Sequence, residues 1–328
     1  MTTGITTFKS FLRSSIVTPL HRLLNAVDTP VIVLLYHRVT TLTSDPEQLA
    51  VTPENFRSQM KFLKDNVPLA RFDDDWAKMA KPAVIITFDD GYADNVREAL
   101  PILEEYRIPA TFFISTGTID TTGHFWWHEL EQILFDTVQR PSRFTLQHDG
   151  RTTVRPSDTG EKRREVYRQL VPLMMEKDAE SRNDCLSQLR RWANTGEIIA
   201  HCHRAMSLAE LHTLAENELV TIGAHTVTHS QLTVLPPNNQ REEIVTSKHQ
   251  LETWLGREIT TFSYPFGKRC HYTHESITAC REAGFTKAAA NFPGQIHRWT
   301  DPYQIPRHLV RNWSITHFER KLQGFWTR

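Results

Sequence analysis

The stretch VIITFDDGYADN, residues 84–95, runs from an apolar, strand-like segment directly into two adjacent carboxylates, Asp89 and Asp90. In parallel α/β architectures, functional sites lie at the carboxyl ends of strands. Two neighbouring carboxylates repel one another, so we expect a cationic group beside them. A helix-capping role is the alternative interpretation, but Asp94 is better placed to cap the helix that follows. The stretch therefore predicts a functional site at the end of a buried strand.

Similar apolar runs recur along the chain, and they predict a parallel sheet because both of their faces are apolar. The runs are VIVLLY (31–36), VIITF (84–88), ATFFI (110–114), LVTIG (219–223), TTFSY (260–264), TKAAA (286–290) and IPRHLV (305–310). Helical patterns alternate with them: one opens at Thr52-Pro53-Glu54, one begins near Asp94 with Pro101 bending it, and two end at Gly256 and Gly284. This alternation, about seven times over, predicts an α/β barrel or a doubly wound sheet.

The alternation is broken once, across residues 120–215, where helical patterns and polar stretches replace the series of strands. We expect this region to be a helical insertion on one rim of the sheet. It contains FWWHELEQILF (125–135), whose Trp126 and Trp127 could stack on a sugar or pack in a core. Two aromatic residues at the start of a helix favour core packing for at least one of them.

Residues 1–30 form a separate N-terminal segment in which apolar residues recur at helical spacing. Residues 5–24 predict an amphipathic helix, packed on the domain or, as the alternative, lying peripherally on a membrane surface. The segment lacks the continuous apolar stretch of a secretory signal. We therefore expect a cytoplasmic protein, with contact at the inner membrane face as part of that alternative.

The overall charge argues against a nucleic-acid partner, because 38 Lys and Arg balance 38 Asp and Glu in 328 residues. The four cysteines form no C-x-x-C pair, which excludes a zinc ribbon and a thioredoxin-like motif and favours a reducing compartment. Histidine is abundant at 16 residues, so only histidines at a defined spacing are informative.

A second motif, GAHTVTH (223–229), also follows an apolar run and places His225 and His229 four residues apart. If one helical turn covers them, both imidazoles project from one side, which is a zinc-ligand spacing. Two surface histidines in a histidine-rich chain are the alternative interpretation. With one carboxylate from the first motif, the pair makes a three-ligand metal site that leaves coordination positions open. The other carboxylate is then free to accept a proton from water.

A third motif, TTFSYPFG (260–267), ends another apolar run in Pro265-Phe266-Gly267, where a backbone N–H could face a developing oxyanion. The ordered trio of T-F-D-D-G, H-[ST]-x-x-H and a strand ending in P-[YF]-G resembles the polysaccharide deacetylase family, carbohydrate esterase family four. LLYHR (34–38) resembles the first strand of many members. The resemblance covers about residues 31–115 and 219–310 and leaves the insertion outside.

This resemblance implies a fold, a reaction and a set of site residues. The fold is a distorted (β/α) barrel, with the deacetylase domain spanning residues 31–328 around the insertion. Asp89 is the catalytic base, while Asp90, His225 and His229 hold a divalent metal, zinc first, with cobalt, nickel or iron as substitutes. The metal polarises the acetamide carbonyl and activates water. The Phe266 N–H helps to stabilise the oxyanion that forms, and the reaction releases acetate from an amino sugar.

The chain departs from the family pattern at two places. The arginine that usually precedes P-Y-G is absent, since residues 262–264 are Phe-Ser-Tyr. Arg307 is the residue that we expect to orient Asp89 instead. The late leucine-x-histidine motif, which supplies the general acid, has no clean counterpart, and His308 in IPRHLV is the nearest candidate. His37 is a second candidate acid.

The favoured function is a metal-dependent amidohydrolase that removes N-acetyl groups from an amino sugar of a polysaccharide, glycolipid or nucleotide-sugar precursor. A non-haem iron oxygenase also uses two histidines and a carboxylate, but that class needs no second Asp beside the ligand. A catalytically inactive glycan-binding relative is the third hypothesis. The missing arginine motivates it, and the retained pairs of Asp and His oppose it.

Overall fold

The computed structural model describes residues 25, 27–121, 125–135, 140–195 and 203–326. No helix within these ranges is both long and apolar enough to cross a lipid bilayer. The amphipathic helix predicted at 5–24 lies outside the described residues.

A parallel sheet forms the centre of the structure, and two pairs of shorter or separate strands lie outside it. The strands are β1 (Val31–Tyr36), β2 (Arg38–Val39), β3 (Ala50–Val51), β4 (Leu69–Ala70), β5 (Ala83–Phe88), β6 (Ala110–Ile114), β7 (Arg143–His148), β8 (Arg151–Pro156), β9 (Val220–Ala224), β10 (Thr261–Ser263), β11 (Lys287–Ala289) and β12 (His308–Leu309). The main sheet follows the order β11-β10-β9-β6-β5-β1-β12, and β4 pairs with the start of β5. The two pairs outside it are β2 with β3 and β7 with β8. All seven predicted strands are therefore confirmed.

The sheet nearly closes into a barrel, and its last joint is irregular. β12 pairs with β1, whereas the chain before β12 forms an isolated bridge with β11, between Ala289 and Ile305. Two backbone hydrogen bonds support this bridge: Ala290 N–H donates to the Ile305 carbonyl at 2.8 Å, and Ile305 N–H donates to the Ala288 carbonyl at 3.0 Å. The predicted distorted (β/α) barrel of about seven strands is confirmed.

Helices alternate with the strands along the chain, as the pattern predicts. They are α1 (Pro53–Asn66), α2 (Leu100–Tyr106), α3 (Trp126–Phe135), α4 (Gly160–Met175), α5 (Ala179–Ala193), α6 (Leu208–Ala215), α7 (Pro237–Leu255), α8 (His274–Glu282) and α9 (Ile315–Phe325). Thr52 caps α1 by accepting from the Asn55 N–H at 3.3 Å. Gly256 ends α7 with a φ of 63°, which a glycine adopts without steric cost.

The helix predicted from Asp94 begins differently from expectation. Residues 95–99 form a π-helical turn that leads into α2. Pro101 has no N–H to donate, so the usual hydrogen-bond ladder cannot pass through it unchanged. The Asp94 side chain does not cap this turn and instead pairs with Arg38 at 2.8 Å. The prediction that Asp94 caps the helix is therefore wrong.

Packing on both faces of the sheet fixes the strand ends that carry the site. β1 and β5 are buried at every residue, which explains their continuous apolar runs. The rings of Phe88 and Phe112 stack with centroids 4.6 Å apart. Gly223 lies so close to Phe113 that an added Cβ would stand 2.5 Å from its ring, so β9 needs glycine there.

The insertion packs around an apolar cluster of its own, built from α3, α4, α5 and a hairpin. β7 and β8 pair in antiparallel fashion across Asp149-Gly150, whose φ angles are 49° and 71°. The expectation of helices is confirmed, but the expectation of a region without strands is wrong. The Asp-Gly turn and the alternating buried Phe144 and Leu146 are the hairpin signal in the sequence.

Candidate active site

The predicted site residues gather where three strands of the sheet end. Asp89 and Asp90 follow β5, His225 and His229 follow β9, and Phe266 lies beyond β10. The carboxyl ends of these parallel strands meet at one rim of the barrel. A cavity of about 260 Å³ opens at this rim, and all five residues line it.

Asp89 is held by a two-point ion pair with Arg307. Arg307 Nη1 donates to Asp89 Oδ1 at 2.7 Å, and Nη2 donates to Oδ2 at 2.6 Å. Ser263 Oγ donates to Asp89 Oδ2 at 3.3 Å. Arg307 is only 1% exposed, and its Nε donates to the Ala290 carbonyl at 2.7 Å. Arg307 therefore contacts Asp89 as expected, and takes the place of the arginine missing from 262–264.

This ion pair sets the protonation of Asp89. Burial alone would raise the pKa of Asp89, but the Arg307 guanidinium and the His225 imidazole outweigh it and lower the pKa below its ordinary value. Asp89 is thus ionised at neutral pH. Each carboxylate oxygen has two lone pairs, so the bonds to Arg307 leave acceptor capacity for a further proton donor.

Asp90 has a backbone conformation that is uncommon for a residue with a side chain. Its φ is 77°, and the Gly91 N–H donates to the Asp89 carbonyl at 3.0 Å, which closes a γ-turn centred on Asp90. The turn lets the two neighbouring carboxylates take different partners. Strained backbone of this kind persists only where the surrounding structure holds it, and it clusters at functional sites.

Asp90, His225 and His229 bring three potential ligand atoms together. His225 Nε2 lies 3.5 Å and His229 Nε2 lies 3.3 Å from Asp90 Oδ1. Atoms bound at about 2.1 Å around a tetrahedral ion lie about 3.4 Å apart, so this spacing suits zinc or a similar metal. Asp90 Oδ1 is buried and has no hydrogen-bond partner among the described residues. Burial would raise the pKa of Asp90, but the two imidazoles lower it well below its ordinary value.

The tautomer of His225 also suits metal binding. His225 Nδ1 lies 2.7 Å from the Ser263 carbonyl oxygen. Because a carbonyl only accepts, Nδ1 carries the proton, and the lone pair of Nε2 faces Asp90. A backbone carbonyl in this position is a common partner of metal-binding histidines. The residues present therefore fit a divalent metal.

His225 and His229 do not lie on a helical turn, so that part of the prediction is wrong. Residues 225–229 form a loop, and two of its residues have positive φ. Glu243 of α7 holds this loop, because its Oε2 accepts from the backbone N–H groups of residues 227 and 228, each at 2.9 Å. The loop conformation, rather than helical periodicity, places the two imidazole centroids 4.9 Å apart.

Aromatic rings enclose His229. The ring centroids of Phe266 and Trp127 lie 4.8 Å and 4.9 Å from the imidazole centroid. Trp127 Nε1 donates to the Tyr92 hydroxyl at 2.9 Å, so Trp127 packs as a core residue that supports the site. Trp126 also lines the cavity, and its buried indole N–H has no partner among the described residues. Trp126 therefore contributes a ring to the cavity wall, while its indole N–H is buried.

A second γ-turn holds Phe266. Its φ is 59°, and the Gly267 N–H donates to the Pro265 carbonyl at 2.6 Å. A Cβ on Gly267 would stand 2.6 Å from the Asn291 backbone nitrogen, so only glycine fits there. The Pro-Phe-Gly sequence is thus explained by the turn. The role of the Phe266 N–H toward an oxyanion stays a prediction.

The structure does not bring His308 to the cavity. Its ring stacks on Phe325 with centroids 3.9 Å apart, and its Nε2 lies 2.9 Å from the Gly294 carbonyl oxygen. Because side chains alternate along a strand, Leu309 lines the cavity instead. The prediction of His308 as general acid is therefore wrong in its placement. His37 does line the cavity, and its buried Nδ1 has no hydrogen-bond partner in the described part of the chain.

Sequence reasoning missed several residues of the site. Glu47, Lys268, His271, Asn291 and Arg311 also line the cavity. His271 lies four positions after Gly267, so the loop that follows Pro-Phe-Gly was a signal for it. The other residues share no spacing with the three motifs, and their positions depend on how the loops fold back across the barrel rim.

A second group of potential ligands, His128, Glu131 and His203, lacks the geometry of a metal site. Their ligand atoms lie within 4.8 Å of one another. However, the two imidazole rings stack with centroids 4.2 Å apart and an interplanar angle of 26°, so their in-plane lone pairs do not converge. The Arg38 guanidinium lies 2.7 Å from His203 Nδ1, which puts a positive charge beside the cluster. We interpret this cluster as a buried polar network behind Tyr92, whose hydroxyl lies 2.8 Å from His128 Nε2.

Substitution of Glu243 tests whether the 225–229 loop depends on this carboxylate. Glu243→Gln replaces a charged acceptor by a neutral one, so the loop holds its histidines less firmly. We expect the affinity for zinc to fall about tenfold or more, as for other groups that orient metal ligands. Competition with a chelating dye measures this affinity. Glu242→Gln, on the exposed side of the same helix, is the matched control and should bind zinc like the wild type. Equal zinc affinities of the wild type and both variants would contradict the role of Glu243.

Comparison with known proteins agrees with the fold. The model of the polysaccharide deacetylase family matches residues 77–288. The chain is 23% identical to YxkH of Bacillus subtilis (strain 168) over 288 residues, which cover 85% of this chain and 70% of that protein. It is 21% identical to the poly-β-1,6-N-acetyl-D-glucosamine N-deacetylase of Staphylococcus aureus (strain MRSA252), with 93% and 90% of the two chains covered.

A solved structure shows the same fold. IcaB from Ammonifex degensii has a TM-score of 0.57 and 17% sequence identity, with 92% of this chain and 98% of that chain covered. The match to the family model spans more than half of the 328 residues. The chain therefore belongs to the polysaccharide deacetylase family.

Proposed function

We propose that this protein is a metal-dependent de-N-acetylase that removes acetyl groups from an amino sugar of a polysaccharide or of its precursor. The observation that carries the proposal is the division of labour between two adjacent carboxylates. Asp89 is kept ionised by Arg307, while Asp90 shares a buried site with His225 and His229. One carboxylate is thus available for proton transfer and the other for metal binding.

Each residue of the site has a role in amide hydrolysis. A divalent metal, zinc first, held by Asp90, His225 and His229 would supply a Lewis acid and lower the pKa of water. Asp89 accepts the proton of the attacking water, because its carboxylate is ionised and faces the same cavity. The Phe266 N–H donates to the acetamide oxygen as that atom gains negative charge.

His37 is the residue that we propose to protonate the leaving amine. It lines the cavity together with both carboxylates, and its Nδ1 has no other hydrogen-bond partner among the described residues. Burial lowers the pKa of His37 below its ordinary value, although the negative charges of Asp90 and Asp89 oppose that effect, so a protonated His37 gives up its proton readily. Once the nitrogen of the acetamide group carries this proton, its bond to the acetyl carbon breaks. The products are acetate and a free amino sugar.

The names of the relatives support the substrate class. One relative is named for N-deacetylation of poly-β-1,6-N-acetyl-D-glucosamine, and we extend to this chain the class of N-acetylated glucosamine polymers or precursors. Membership of the family opposes the oxygenase hypothesis. The retained pair of carboxylates and pair of histidines favours an active enzyme over a glycan-binding relative. The cytoplasmic location and the membrane-surface helix stay predictions.

Acetate release tests the proposed activity. Purified protein loaded with zinc should release acetate from oligomers of N-acetylglucosamine, and Asp89→Asn should slow this release by at least about 100-fold, because the amide cannot accept the proton. A coupled acetate assay measures the rate. Asp65→Asn makes the same chemical change on an exposed face of α1 and should leave the rate unchanged. Full activity in Asp89→Asn would rule out its role as base.

The pH profile tests the partnership of Asp89 and Arg307. Burial favours the protonated form of Asp89, so loss of the guanidinium in Arg307→Gln should raise the pKa of Asp89. The active, ionised form is then lost at a higher pH, and the acid limb of kcat/KM should move up by about 1 pH unit or more. Arg307→Lys keeps the charge without the two-point geometry and should move the limb less. An acid limb at the same pH in all three proteins would show that Arg307 does not set the pKa of the base.

A further inference from the structure

We infer that the active site continues into an arginine-lined subsite that binds an anionic group of the substrate, a phosphate or a carboxylate. This inference rests on the proposed function and specifies the class of substrate. The subsite is a second cavity, between the 43–47 segment and α4 of the insertion, with a volume of about 720 Å³. Ligand pockets span roughly 300–1,000 Å³, so this cavity has room for more than one sugar unit.

Three arginines of α4 give the cavity its charge. Arg163, Arg164 and Arg168 all line it. Arg168 pairs with Glu165 at 3.1 Å on the exposed surface. Arg163 donates through Nη1 to the Ser157 carbonyl at 3.2 Å, and its buried Nε has no partner among the described residues. Neither Arg163 nor Arg164 forms an ion pair within the part of the chain that the structure describes.

The acidic residues of the cavity wall are engaged elsewhere. Both carboxylate oxygens of Asp45 accept backbone N–H groups, from Leu49 at 3.0 Å and Ala50 at 2.9 Å. Glu47 Oε1 accepts from the Tyr167 hydroxyl at 3.1 Å, and burial raises the pKa of Glu47. Asp45 thus holds its own loop and Glu47 is bonded to Tyr167. Within the described residues, no carboxylate therefore lies in ion-pair contact with the guanidinium groups of Arg163 and Arg164.

The arginine cavity adjoins the catalytic cavity. Glu47 and Val171 line both, so the two spaces share part of one wall. A substrate with its acetamide between Asp89 and Phe266 can therefore extend along α4 toward Arg163 and Arg164. A guanidinium presents paired N–H donors that match phosphate and carboxylate oxygens. The occupant that fits is an anionic group joined covalently to the N-acetylated sugar.

Binding of charged and neutral sugars to the zinc-loaded full chain tests this inference. The probes are UDP-N-acetylglucosamine for phosphate, an N-acetylated oligosaccharide with uronic acid units for carboxylate, and a neutral N-acetylglucosamine tetrasaccharide. Calorimetry should show tighter binding of at least one charged probe, and added salt should weaken that binding selectively. Arg163→Gln/Arg164→Gln should weaken the charged probe about tenfold or more and leave the neutral one unchanged.

A charge-matched control separates this effect from general electrostatics. Lys162→Gln/Arg155→Gln also removes two positive charges, and neither residue lines the arginine cavity. This control should bind all probes like the wild type. Equal loss in both double variants, or equal affinity of the wild type for charged and neutral probes, would overturn the subsite.

Failure of the proposed function gives a different result. If charged probes bind through Arg163 and Arg164 but no probe releases acetate, the subsite stands and the deacetylase proposal fails. If acetate is released from charged and neutral probes at the same rate, and the arginine variant changes neither binding nor rate, the deacetylase proposal stands and the subsite fails. The preferred charged probe identifies the anion as phosphate or carboxylate.

Discussion

The buried ion pair between Asp89 and Arg307 is the contact on which the rest of the site depends. It joins the end of β5 to the chain just before β12, at the seam that contains the isolated bridge between Ala289 and Ile305. Removing one partner of a buried, hydrogen-bonded pair costs about 3–5 kcal/mol, because the other charge is left uncompensated. The same contact therefore helps to close the barrel and keeps a carboxylate ionised beside Asp90, His225 and His229.

Several residues near this pair have strained backbone conformations. Asp90, His229 and Phe266 all have positive φ, and two of them are centres of γ-turns. Each turn follows a buried strand, whose packing fixes the direction of the chain before the turn. Such conformations cost of order 1–3 kcal/mol of folding free energy each, and the packing of the barrel core must offset this cost. Rigid strands that end in strained turns thus place side chains from distant parts of the sequence within a few ångströms of one another.

Much of the fold and the grouping of Asp90, His225 and His229 could be predicted from the sequence, because short-range patterns specify them. Continuous apolar runs predicted the strands, and the parallel sheet then placed Asp90, His225 and His229 at one rim. His308 shows the limit of this reasoning, since a strand pattern does not say which of two alternating faces points to the cavity. Glu243 acts through the geometry of the 225–229 loop, which leaves no spacing in the sequence. The hairpin at 143–156 was missed although its Asp-Gly turn was a usable signal.

Metal content of the purified protein tests the centre of this account most directly. Mass spectrometry of the wild type should find about one divalent metal per chain, as expected for a three-ligand site. The His225→Ala/His229→Ala variant should lose that metal while circular dichroism shows that it remains folded. A wild type that holds no metal even after zinc or cobalt is offered, or a double variant that retains it, would contradict the assignment of Asp90, His225 and His229 as the metal site.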